Sequence, residues 1–109
     1  MNLAHLATII CLLGACSSEK PLPPIATGLP DDEQEAQHIF ADRVQGAFPD
    51  GTSEANLKSQ LSVQGFKVTS NRAELHRPRW PCDFGWIVEW RTVGSNVVGA
   101  NGVYGSACP

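Results

Sequence analysis

Trp86-Ile87-Val88-Glu89-Trp90-Arg91-Thr92-Val93, then Gly94-Ser95-Asn96, then Val97-Val98-Gly99-Ala100-Asn101-Gly102-Val103-Tyr104: two stretches rich in β-branched and aromatic residues flank a short polar connection. Such runs about a Gly-Ser-Asn punctuation read as a β-hairpin with a three-residue loop, in which Asn96 takes the left-handed conformation. Centring the loop on Ser95 sets Trp86 against Tyr104, Val88 against Gly102, Trp90 against Ala100 and Thr92 against Val98, so large side chains face small ones. The same alignment brings Cys82 opposite Cys108, within bridging reach. The other face carries Ile87, Glu89, Arg91 and Val103; Glu89 and Arg91 there read as a solvated polar surface rather than an acid and base pair.

Cysteine counting agrees with this register. Of 4 cysteines, Cys11 lies in an apolar run and Cys16 follows that run after Gly14 and Ala15, leaving Cys82 and Cys108 to form one disulfide. Closing a loop of about 25 residues removes on the order of 3 kcal/mol of denatured-state freedom, a large aid to a small core. A zinc site needs four ligands, and only His76 and Asp83 lie near these cysteines in sequence, so no metal or other cofactor is expected.

The apolar run from Leu3 to Leu13 contains no charged residue and is too short for the roughly 20 residues of a membrane-spanning helix. It reads as an export signal. Leu13-Gly14-Ala15-Cys16 resembles the bacterial lipobox, in which two small residues precede a cysteine whose thiol takes a diacylglycerol. The resemblance implies cleavage before Cys16, with residues 1–15 the lipoprotein signal peptide and Cys16 the lipidation site. It departs from a usual leader in having no Lys or Arg before Cys16. Ser17 after the cysteine implies an outer-membrane destination, facing the periplasm. All 8 basic and 11 acidic residues lie beyond Cys16, so the mature chain keeps the net charge of -3, which argues against nucleic acid as a partner.

Residues 16–30 hold four prolines and almost no apolar period, and read as a lipidated Pro-rich tether. At about 3.1 Å per residue in polyproline II, it would hold a folded body up to roughly 40 Å from the lipid. Residues 31–109 then form a small periplasmic α+β domain. Asp31 and Asp32 are candidate N-caps, with Gln34 and Glu35 behind them. Ala36, Ile39, Phe40, Val44 and Ala47 follow at helical spacing until Gly46 and Pro49 end the helix. Thr52 or Ser53 caps a second helix with a buried stripe of Ala55 or Leu57 and Leu61, stopped at Gly65. Phe66, Val68 and Ser70 then alternate with Lys67, Thr69 and Asn71, as in a half-buried strand. The expectation is two N-terminal helices packed on an antiparallel sheet of about three strands, covering its Trp86, Val88 and Trp90 face. His38 reads as a surface histidine, with no nucleophile beside it.

At Phe48-Pro49-Asp50-Gly51-Thr52-Ser53, followed by Leu57, Leu61 and Gly65-Phe66, the chain resembles the small lipoproteins of the SmpA and OmlA (BamE-like) type, whose two helices precede three strands. The resemblance covers topology from residue 31 to 104 but only a dozen residues in pattern, and the Cys82 and Cys108 pair departs from it. It implies an envelope accessory role in outer-membrane assembly or maintenance.

Lys67, Arg72, Arg77 and Arg79 face one acid, Glu74, in the stretch that ends Arg77-Pro78-Arg79-Trp80-Pro81. Arg77, Arg79 and Trp80 are the candidate partner-binding residues, because guanidinium pairs bidentately with phosphate or carboxylate and Trp supplies apolar area. The alternative is a solvated loop with Trp80 packed on the sheet. No serine, cysteine or metal constellation remains for catalysis once the cysteines are assigned. The sequence therefore points to a non-enzymatic envelope accessory or scaffold, anchored by its N-terminal lipid and acting on a protein partner; a periplasmic inhibitor or immunity lipoprotein against a toxin or hydrolase is the second reading.

Overall fold

The computed structural model describes residues 21–109, and it is built around the hairpin. Strands β3 (Cys82–Val93) and β4 (Asn96–Ala107) pair antiparallel, with Trp86 opposite Tyr104 and Val88 opposite Gly102. The connection differs from expectation. It has two residues, Gly94 and Ser95, with φ of 63° at Gly94, and among the described residues only glycines have positive φ. Glycine at the first central position with a normal residue after it matches the type II′ turn, whose twist suits a hairpin. Near the turn the register is therefore shifted, and Thr92 pairs with Val97 rather than Val98. Between Glu89 and Arg91 the ladder breaks, and the extra residue on β4 is at Gly99, whose φ is 62°. A glycine in left-handed conformation opening a bulge absorbs the one-residue difference, so Trp90 faces the bulge and the expected pairing returns beyond it. Cys82 and Cys108 are bridged, with 4.2 Å between their Cα atoms.

The sheet has four strands, in the order β1-β2-β3-β4, where β1 is Lys67–Val68 and β2 is Arg72–Arg79. The alternative reading of this stretch as a solvated loop does not hold, because it forms a strand. It pairs along its whole length with β3, from Arg72 opposite Glu89 to Arg79 opposite Cys82. Its alternation carries few apolar residues, and Pro78 argues against a central strand. Pro78 is accommodated because β1 reaches only Ala73 and Glu74, leaving the rest of β2 as a sheet edge.

Helices α1 (Glu33–Ala47) and α2 (Glu54–Val63) precede the strands in the chain. Asp32 caps α1, its Oδ1 accepting the N–H groups of Gln34 and Glu35 at 2.9 and 3.2 Å. Ser53 caps α2 through Asn56 N–H at 3.1 Å. Ala36, Phe40 and Val44 from α1 and Leu57 and Leu61 from α2 are fully buried, whereas Ile39 is half-buried and Ala47 and Ala55 are exposed. Phe40, Val44, Leu57 and Leu61 meet Ala73, Trp86, Val88, Trp90, Val97 and Ala100 on one sheet face. α1 crosses β4 at Gly102, where an added Cβ would lie 2.7 Å from Val44 Cγ2 and 2.9 Å from Phe40 Cδ2.

β4 is the other sheet edge, and the chain covers its outward backbone groups. Val97 exchanges hydrogen bonds with Gly51 and Thr52 at 2.9 and 2.7 Å, and Gly99 N–H donates to Asp50 Oδ1 at 2.8 Å. Further along, the Gln37 amide donates to Gly102 O at 2.9 Å and accepts from Tyr104 N–H at 2.5 Å, as the peptide group of another strand would. A long uncharged strand is thereby kept from pairing with a second chain.

Residues 21–30 are not a free tether, which moves the domain boundary expected at residue 31. Pro24–Ala26 forms a 3-10 turn that buries Ile25 and Ala26 to 9% and 2% exposure. Arg43 Nη1 fixes the turn by donating to the carbonyls of Pro24, Ile25 and Thr27 at 3.3, 3.3 and 2.5 Å. Prolines hold this segment extended, but Leu22, Ile25, Ala26 and Leu29 give it enough apolar surface to dock. The expected signal peptide and Cys16 lie outside the described residues.

Gly102→Ala is expected to lower unfolding free energy by about 1 to 3 kcal/mol, the range for overpacking a core contact, measured by urea denaturation. Gln37→Leu should leave the secondary structure intact by circular dichroism but produce concentration-dependent self-association by sedimentation, because it uncovers Gly102 O and Tyr104 N–H.

Candidate functional site

β2 and β3 meet in a two-residue turn, Trp80-Pro81, in which the peptide bond is cis. Alternation along β2 puts Ala73, Leu75, Arg77 and Arg79 on the helix side of the sheet, with Arg77 opposite Phe84 and Arg79 opposite Cys82. α1 meets this end only through its first residue, Glu33, whose carboxylate accepts from Ser106. The uncovered corner is a cleft of about 440 Å³ between Leu22, Leu29 and Asp31 of the N-terminal segment and Arg77, Arg79 and Phe84 of the hairpin. Trp86 and Tyr104 also line it, with ring centroids 5.4 Å apart.

The three candidate residues are thus brought to one corner but in different states. Arg77 is half-buried and engaged within the protein. Arg79 is exposed, and among the described residues it makes no ion pair. Trp80 stands at the turn with 95% of its surface in solvent, so the alternative of a ring packed on the sheet does not hold. An exposed Trp leaves in water an apolar area that its own fold does not bury, so Trp80 adds nothing to the core.

Sequence reasoning did not find the aromatic floor. Trp86 is 5% exposed, and its indole Nε1 has no hydrogen-bond partner. Tyr104 has its hydroxyl pKa raised, first by burial and then by the carboxylates of Glu33 and Asp31. Both residues were read as members of a pair in the hairpin; their position over the cleft follows from the docking of residues 21–30, which carried no signal beyond Leu22, Ile25 and Leu29.

The opposite sheet face is solvated, as Glu89 and Arg91 suggested, but β2 gives it an ordered set of charges. Arg72 donates to Glu74 at 3.0 Å and to Glu89 at 2.9 Å. The His76 ring lies between Glu74 Oε1, 3.0 Å from Nε2, and Asp83 Oδ2, 3.4 Å from Nδ1. Carboxylates only accept hydrogen bonds, so both contacts are donated only when the imidazole carries two protons. Arg91 instead lies over the bulge, with its Nη2 2.8 Å from where a Cβ at Gly99 would be. Of the hydroxyls near this end of the sheet, Ser106 donates to Glu33 at 2.8 Å and is turned to the helix side. His38 is exposed on α1.

Comparison with protein-family models, with curated proteins and with solved structures found no match. The resemblance to the SmpA and OmlA lipoproteins rests on the residues that carry it.

The Glu74 carboxyl is held below its ordinary 4.5 by the His76 hydrogen bond first and the Arg72 hydrogen bond second. A depressed folded-state value adds stability above the unfolded pKa and loses it as pH falls through the lower folded value, so the contribution disappears below pH 4.5. Carboxyl-carbon NMR titration should place the Glu74 midpoint below 4.5, and His76→Ala should move it upward.

Proposed function

We propose that the protein is a lipid-anchored, non-enzymatic accessory or scaffold of the bacterial cell envelope, held at the outer membrane and facing the periplasm. Its recognition surface is the corner of Arg77, Arg79 and Trp80. The observation that carries the reading is Trp80: an indole at 95% exposure beside an exposed arginine is a preformed contact for an apolar surface bearing anionic groups. Location is supported from two sides. Leu13-Gly14-Ala15-Cys16 supplies the acceptor thiol, and the Cys82–Cys108 bridge suits an oxidising compartment. The SmpA and OmlA resemblance adds the expectation of work in outer-membrane assembly or maintenance, although a fourth strand and the disulfide depart from that pattern.

Extraction of the full chain from bacterial membranes should yield an intact mass that begins at Cys16 and carries a diacylglycerol. Cross-linking within intact envelopes should join it to a barrel-assembly or cell-wall protein. A stoichiometric toxin or hydrolase in its place would identify the protein as an inhibitor, and an unacylated chain with both late thiols titratable would overturn the envelope reading itself.

A further inference from the structure

The docked N-terminal segment changes the geometry of the anchor. A tether running to residue 30 would hold the folded body well clear of the membrane, but packing begins at Leu22 and Ile25. Five residue steps separate Cys16 from Pro21, a span of at most about 18 Å when fully extended. The body therefore rides close to whatever surface receives the lipid.

The place where the chain enters the body is also fixed. Leu22 lines the cleft together with Arg77 and Arg79, and Pro21 lies with Arg77 in the adjoining groove. The Trp80-Pro81 turn follows Arg79 directly, so the entry point and the exposed indole share one end of the sheet. We infer that this corner is a second membrane contact: Trp80 sits in the headgroup region of the bilayer that carries the anchor, and Arg79 pairs with lipid phosphate. The inference rests on the acylation of Cys16 proposed above.

The chemistry favours this occupant. Trp prefers the membrane interface, where its ring meets apolar surface and its N–H stays wet. Guanidinium is the matching donor for phosphate. Cys82 and Pro81 on the far side of the turn add no charge, Asp83 is turned to the opposite face toward His76, and Asp31 is the acid nearest the arginines in the cleft. The net charge of -3 opposes a broad approach to an anionic surface, so contact is confined to the corner that the anchor presents.

Tryptophan fluorescence tests the proposal on the full mature chain reconstituted in phosphatidylcholine vesicles with and without phosphatidylglycerol. Trp86 and Trp90 are buried, so quenching by acrylamide reports on Trp80. Expected are protection of Trp80 from acrylamide, quenching by lipids brominated near the headgroup, and loss of both signals in Trp80→Phe. Arg79→Ala should weaken the anionic-lipid component about fivefold. An acylated chain whose Trp80 remains as accessible in vesicles as in buffer overturns the contact while leaving the anchor standing. Protection that requires a co-purified protein overturns it in favour of a protein partner. A mass that shows no acyl group on Cys16 removes the premise instead, and the two failures are told apart by that measurement.

Discussion

The register of β3 on β4 is the constraint on which the other contacts depend. It puts Gly102 opposite Val88, which lets Phe40 and Val44 of α1 lie directly on the sheet. It also puts Cys82 where Cys108 can be reached, and Trp86 beside Tyr104. Two opposite departures from a plain hairpin produce it: a loop one residue shorter than the sequence suggests, and a bulge that returns the residue at Gly99. Slipping β4 by one residue would turn Val97 and Ala100 to solvent and bring Val98 and Asn101 onto the helices. The disulfide at one end and the Gly51, Thr52 and Asp50 contacts at the other leave no freedom for that slip.

Much of this was legible because local chemistry and burial agree. Asp32 and Ser53 are strong caps, Phe40, Val44, Leu57 and Leu61 repeat at helical spacing, and β3 alternates cleanly. What stayed hidden was tertiary. β2 has only Ala73 and Leu75 to mark an inner face, and its charges mimic a loop because their partners lie on β3. Ile25 and Ala26 sit among prolines, and nothing local shows that Arg43, on the next helix, collects three of that segment's carbonyls. Arg77, Arg79 and Trp80 were found by charge bias and aromatic placement. The floor of their cleft was not, since Trp86 and Tyr104 acquire that role only when the N-terminal segment folds over them.

The two edges of the sheet are handled differently, and this bears on how the molecule meets others. β4 is long and uncharged, and its polar groups are met by a loop and by Gln37. β2 is left open beyond β1 but carries arginines and Pro78, which discourage strand addition. Association by edge pairing is thus blocked on both sides. The hairpin corner lies off both edges, with Trp80 and Arg79 projecting from a turn held between the disulfide and the cleft.

The charges on the open face act more on specificity than on stability. Arg72, Glu74, His76, Asp83 and Glu89 are each between about a third and a half exposed, so any single pair contributes little. Their value lies in selecting the β2 register, which two small apolar contacts specify weakly. Sliding β2 by two residues keeps every side chain on its face, so burial alone would tolerate it. In one direction the slide sets Glu74 opposite Glu89 and Arg72 opposite Arg91, replacing attraction by repulsion at adjacent positions. In the other it brings Asn71 opposite Val88 on the core face and separates Arg72 from Glu89. Only the observed pairing satisfies both faces, and it is the one that carries Arg79 to Cys82 and leaves Trp80 at the turn.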